Sequence, residues 1–236
     1  MAAMQLERIL HSQGFGSRKE VRGLIRHGFV SIGGEVCEDP FAEFEAEGFV
    51  FEIEGEAWTY HAEAHVMVNK PIGYEVSQKP KHHRSVFELL PVPLRTRGVQ
   101  AIGRLDEDTT GLLILTTDGQ LIHQVSSPKR KVPKRYAVTL KHAVTDELIA
   151  ALLAGVELHD DPEPVAAASA VAVGEFGLDL TITSGKYHQV KRMIGAVGNR
   201  VEALHRTAVG GLALPDDLEE GDWRWLSAAD LEALRG

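Results

Sequence analysis

Residues 103–119 read Gly103-Arg104-Leu105-Asp106-Glu107-Asp108-Thr109-Thr110-Gly111-Leu112-Leu113-Ile114-Leu115-Thr116-Thr117-Asp118-Gly119. A polar loop holding carboxylates and an arginine runs directly into an apolar segment. Leu112 to Thr116 is short, aliphatic and closed by Asp118-Gly119, which is the composition of a buried strand. Such a strand is rigid enough to hold the preceding loop for catalysis. Pattern alone leaves Asp106 and Asp108 open between a general acid/base pair and the turn-formers or caps that carboxylates two apart more often are.

Working outward, short β-like runs (Val99 to Ile102, Arg135 to Leu140, Val165 to Val173, Leu178 to Thr183, Val201 to Val209) alternate with three helical ones, Gln120 to Val125, Asp146 to Leu153 and His188 to Val197. Strands outnumber helices without regular alternation, so the fold class is α+β around a mostly antiparallel central sheet flanked by helices. Upstream, His65-Val66-Met67-Val68-Asn69 reads as a further strand, and a domain boundary falls near His61 to Glu63. Two domains follow, 1–61 and 62–236. A chain of 236 residues is long enough for both to bury a core.

In the first domain Ser17-Arg18-Lys19-Glu20 has the form of a capping box, and Val21, Leu24 and Ile25 follow at helical spacing, predicting a helix from Arg18 to His27. Arg18, Arg22 and Arg26 are four apart and share one face of it, opposite the apolar residues. Leu6, Ile9 and Leu10 repeat the pattern upstream, and Phe29 to Val36 reads as a small hairpin around Gly33-Gly34.

The net charge of −9 argues at first against a nucleic-acid partner. Its distribution reverses that. Lys79 to Arg104 carries six Lys/Arg against Glu88 alone, and Lys129 to Lys141 carries six against no acid, whereas Glu38 to Glu56 holds eight carboxylates and no Lys or Arg. Segregation of this kind suits either a basic cleft on an acidic body or scattered solvated loops. No run of about 18 apolar residues occurs, and Met1 to Leu10 lacks the basic-then-apolar layout of a secretory signal, so no membrane span and a cytoplasmic location are expected. The single Cys37 can make neither an internal disulfide nor a thiolate cluster, and the eleven histidines show no metal-ligand spacing. No Gly-rich phosphate loop is present, so neither a metal nor a nucleotide cofactor is implied.

The stretch Ser17 to Val36 resembles the S4 RNA-binding domain, although Gln5-Leu6-Glu7 stands where that domain usually opens Arg-Leu-Asp. The Gly103 to Asp106 loop resembles the Gly-Arg-Leu-Asp motif of the pseudouridine synthases that carry an N-terminal S4 domain. Two more segments of that family occur in order, Asn69-Lys70-Pro71-Ile72-Gly73 before the loop and Gly185-Lys186-Tyr187-His188-Gln189-Val190-Lys191-Arg192-Met193 after it. The resemblance implies conversion of a uridine in structured rRNA to pseudouridine without a cofactor. Asp106 would be the nucleophile, Tyr136 the aromatic residue against the flipped base, and Arg192 the guanidinium that pairs with Asp106.

The residues agree with that chemistry. The bond from ribose C1′ to N1 must break and reform at C5, and a carboxylate can serve by attack at C1′ or C6 or by removing the 2′ proton. In the predicted helix Val190, Met193, Ile194 and Val197 form the buried stripe, which leaves Gln189 and Arg192 on a polar face. Tyr136 could also take the C5 proton. Expected RNA contacts are Arg18, Arg22, Arg26, Lys70, Arg104, Lys134, Lys186 and Gln189, with Lys70 and Arg104 open between RNA contact and bracing the loop; Lys129 to Arg135 forms the phosphate-contacting run. The Lys-Tyr-His-Gln-Val-Lys-Arg-Met form of the third motif most resembles the small-subunit members, implying uridine 516 of 16S rRNA in an assembling particle, acted on by a monomer. Alternatives are a large-subunit (23S) site, a non-catalytic RNA-binding assembly factor, and a glycosidase built on Asp106 and Asp108.

Overall fold

The computed structural model describes residues 3–159 and 161–235. The chain divides into two compact units, Met1–Ala64 with Leu90–Gln100, and His65–Leu89 with Ala101–Gly236.

The first unit contains the expected N-terminal elements. The Arg18–Arg26 helix starts on a complete capping box, with the Ser17 hydroxyl accepting from the Glu20 N–H and the Glu20 carboxylate accepting from the Ser17 N–H. With Leu6–Ser12 it packs Leu6, Ile9, Leu10, Val21 and Ile25 against Val30 and Phe51, all at most 1% exposed. The hairpin of Val30–Ile32 and Glu35–Val36 is extended by Val50–Ile53 and Glu56–Thr59 into a four-stranded antiparallel sheet. Those last two strands come from the acidic stretch, whose alternation places Phe51 and Ile53 inward and the charged residues outward. The unit also claims Leu90–Gln100: Leu94 is fully buried, and Arg97 donates to Gln13 and to the carbonyls of His61 and Ala62.

The second unit is built on one large sheet. Its main path runs Ser169–Val173, Gly177–Ile182, Lys134–Leu140, Val201–Val209, Thr109–Thr116, His65–Lys70, Trp223–Trp225. Only Thr109–Thr116 and Val201–Val209 along that path pair in parallel; the remaining neighbours are antiparallel. The aliphatic run of the opening segment lies in an interior strand of it, Thr109–Thr116, with Leu112, Leu113, Ile114 and Leu115 all fully buried. Consecutive residues point to opposite faces, so both faces are covered. Leu112 and Ile114 pack with Met67, Leu121, Val125 and Leu234. Gly111 has φ +101°, and a Cβ there would lie 2.3 Å from the carbonyl oxygen of Arg206, so a glycine is what lets the two strands meet at the end of their pairing. Among the described residues no helix is long and apolar enough to cross a membrane.

Candidate active site

Asp106 sits where the loop turns into the Thr109–Thr116 strand, with the Thr109 N–H donating to the Asp106 carbonyl. The loop is clamped from below by the Asn69 to Gly73 segment. Lys70 is fully buried, and its ammonium donates to the carbonyls of Pro71 (3.0 Å), Glu107 (3.2 Å) and Thr109 (2.8 Å), while the Gly73 N–H donates to Glu107 (2.8 Å). Burial pulls the Lys70 pKa down to about 8 against the opposing pull of Glu107, Asp108 and Asp106. Of the two roles open to Lys70, the hydrogen bonds are those of bracing the loop, and its side chain has no exposed surface.

The Asp106 carboxylate is met by two side chains from one face of the Gln189–Ala196 helix and its cap. Lys191 Nζ lies 3.0 Å from Oδ2, and His188 Nε2 lies 3.2 Å from Oδ1. Lys191 also reaches Asp108 at 2.7 Å. Burial works against the Lys191 charge, but the hydrogen bonds and charges of Asp108 and Asp106 outweigh it and hold the ammonium above the ordinary lysine range. Lys191 therefore holds Asp106 by a charge-assisted hydrogen bond.

Arg192, the expected partner of Asp106, is placed elsewhere. Its guanidinium lies 3.6 Å from Asp161 and donates to the Tyr187 carbonyl at 3.3 Å. The physical reason is helix phase: one residue is a step of about 100°, so His188 and Lys191, three apart, share the Asp106 side while Arg192 turns toward Asp161. Lys186 forms an ion pair with the same Asp161. Gln189 is 3% exposed, and its side-chain carbonyl accepts from Ser184 at 2.9 Å and from the Lys186 N–H at 3.0 Å, so it is an internal strut rather than part of a polar outer face.

Tyr136 and Arg104 line the same cleft as Asp106, which has a volume of about 1090 Å³. A β-bulge between Arg135 and Tyr136 sets the tyrosine opposite Arg206 of the neighbouring strand. Arg206 was not singled out from sequence. It is 2% exposed, and its Nε donates to the Leu112 carbonyl at 2.8 Å, tying the bed of the loop to the strand beside it. Lys134 also lines the cleft; burial, then the charge of Arg206, lowers its pKa, and its ammonium donates to the Val132 carbonyl. Lys129, Arg130 and Lys131 are exposed, whereas Arg135 is engaged by Asp179.

In the first unit, Arg18 and Arg26 are exposed. Arg22 is bonded instead to Glu7, a residue 5% exposed, and lies over the Phe41 ring at 5.4 Å. The departure at Gln5-Leu6-Glu7 thus supplies an internal anchor for the middle arginine.

Residues 64–196 match the model of the RNA pseudouridylate synthase family and residues 4–40 match the S4 domain. The chain belongs to that family and is an RNA pseudouridine synthase with an N-terminal S4 domain. It is 35% identical over 232 residues to the ribosomal small subunit pseudouridine synthase A of Haemophilus influenzae, covering 98% of this chain and 99% of the relative. It is 37% identical over 235 residues to the uncharacterized RNA pseudouridine synthase YtzG of Bacillus subtilis, covering 98% of each. A crystal structure of a pseudouridylate synthase superposes with a TM-score of 0.70 at 34% identity, over 98% of this chain and 99% of that one.

Proposed function

We propose that this enzyme isomerises a uridine of small-subunit rRNA, uridine 516 of 16S rRNA, in an assembling particle, acting as a cytoplasmic monomer with Asp106 as nucleophile. The observation that carries the reading is the Asp106 carboxylate held between Lys191 and His188 in a cleft that also bears Tyr136. The small-subunit target is supported by relatives of the same length whose names specify that subunit.

Lys191 fixes the direction of the carboxylate, so Asp106 is presented for attack on the flipped nucleotide. Tyr136 covers one face of the uracil, and its hydroxyl stands ready for the C5 proton that must leave after the new carbon-carbon bond has formed. Extrusion of the nucleotide from its RNA brings it to the cleft. Arg18, Arg26, Lys129, Arg130 and Lys131, all exposed, together with Arg104, supply contacts to phosphates.

The test is tritium release from C5-labelled uridine in 16S rRNA, offered as free RNA and as subunit particles, with large-subunit rRNA alongside. Release by the native protein and its loss in Asp106→Asn are expected. Release from large-subunit rRNA alone would overturn the target, and unchanged release by Asp106→Asn would overturn the nucleophile.

A further inference from the structure

Tyr187 is the most exposed large hydrophobic side chain among the described residues, at 76%. An aromatic ring left in water forgoes the burial that such rings usually gain, so its setting needs a reason. One face of the ring is stacked on the imidazole of His188, centroids 3.8 Å apart and planes 20° apart. That imidazole is the one whose Nε2 contacts Asp106 at 3.2 Å. The tyrosine therefore stands one ring away from the nucleophile, at the lip of the same cleft.

The backbone beneath it is fixed from several sides. Arg192 holds the Tyr187 carbonyl, Asp161 holds Lys186, the Gln189 amide oxygen holds the Lys186 N–H, and His188 adopts the left-handed conformation with φ +47°. A non-glycine residue in that region costs free energy and persists only where its surroundings impose it. Three residues expected to touch RNA or Asp106 are thus used to present one exposed ring. Presenting a rigid aromatic in advance lowers the ordering cost of binding a flat partner.

We propose that Tyr187 is an RNA-binding residue that stacks on the nucleobase adjoining the target uridine. The inference rests on the pseudouridine synthase reading of this site. Extruding the uridine leaves the neighbouring base with an uncovered π-face, and Tyr187 covers it with the face turned away from His188. The stack then runs from neighbouring base to tyrosine to imidazole and ends at the carboxylate, setting the register between the RNA and Asp106.

A cycle of protein and RNA changes tests this with the full chain. Dissociation constants are measured for the native protein, Tyr187→Phe and Tyr187→Ala, each against a 16S rRNA fragment containing the target uridine and against versions abasic at its 5′ or 3′ neighbour. Tyr187→Ala is expected to weaken binding of the intact fragment about 5- to 100-fold, Tyr187→Phe to bind as the native protein does, and Tyr187→Ala to be indifferent to one of the two abasic sites. Additive losses at both sites, or failure of Tyr187→Phe to preserve affinity, would overturn the proposal. Tritium release by the native protein, run in parallel, separates the two claims: its absence from every rRNA form defeats the reading of the site, whereas its presence with an additive cycle defeats only the stacking role.

Discussion

Lys191 bridges the two carboxylates of the catalytic loop, with Nζ 3.0 Å from Asp106 and 2.7 Å from Asp108. The ammonium is aimed at the group whose charge the reaction uses. Lys191→Met is expected to lower kcat about 100-fold or more while the KM for RNA changes little, with partial recovery in Lys191→Arg. Single-turnover rates on 16S rRNA provide the check; an equal loss in KM and none in kcat would assign Lys191 to RNA binding instead.

His188 contacts Asp106 from a left-handed backbone. Asparagine tolerates that conformation, so His188→Asn should fold with stability within about 1 kcal/mol of the native protein. It withdraws the imidazole from the carboxylate and should slow turnover about tenfold. Urea unfolding and tritium release, measured on the same preparation, separate the two effects.

Lys70 gives a pH signature. Its pKa is about 8 in the folded protein against an ordinary 10.5. Between those values the unfolded chain binds more protons at this site than the folded one, so folding stability attributable to Lys70 rises with pH across that window and is flat below it. The gain is up to roughly 3 kcal/mol. Unfolding curves at pH 7 and pH 10 should show the native protein gaining on Lys70→Met; a constant difference would refute the assignment. Lys70→Met also leaves the carbonyls of Pro71, Glu107 and Thr109 without their donor, so loss of activity should accompany it at every pH.

The three arginines of the N-terminal helix should divide in their effects. Arg18→Ala with Arg26→Ala should weaken RNA binding uniformly across sequences and reduce the slope of log affinity against log salt by about 2. Arg22→Ala, which strips Glu7 of its partner, should lower the melting temperature of the unit first. Equal salt-slope changes for all three would contradict the structure.

Asp106 and Tyr136 share one cleft because each lies near the start of a strand that pins its backbone, a continuous aliphatic run after Asp106 and a two-residue period from Tyr136. Lys191 was not legible in this way. A helix pattern identifies the buried stripe of Val190, Met193 and Ile194, but the flanking positions depend on what faces them, and Asp161 lies in a loop without a periodic signal. The same pattern puts Gln189 on the polar face, whereas its side chain is buried and accepts from Ser184 and Lys186. Lys70 reads as a surface cation because lysine usually is one; only the convergence of three carbonyls from two segments makes its burial tolerable. Trp223–Trp225 forms a strand too short, at three residues, to show a period, and the Ala228–Arg235 helix is a further element beyond the three helical runs. His188 stands inside the third motif and Arg206 in the run Val201 to Val209, yet nothing in their spacing distinguishes a structural cation from a ligand of the nucleophile.

The parallel pairing of Thr109–Thr116 with Val201–Val209 also orders events during synthesis. Thr109 meets Leu204, made ninety-five residues later, and the two strands lock only where Gly111 slides under Arg206. Until Val201–Val209 has left the ribosome, Thr109 to Gly111 lack their parallel partner and the loop bearing Asp106 has no finished bed. A nascent chain of this enzyme therefore completes its catalytic loop only late in translation, once the strand holding Leu204 to Arg206 has emerged.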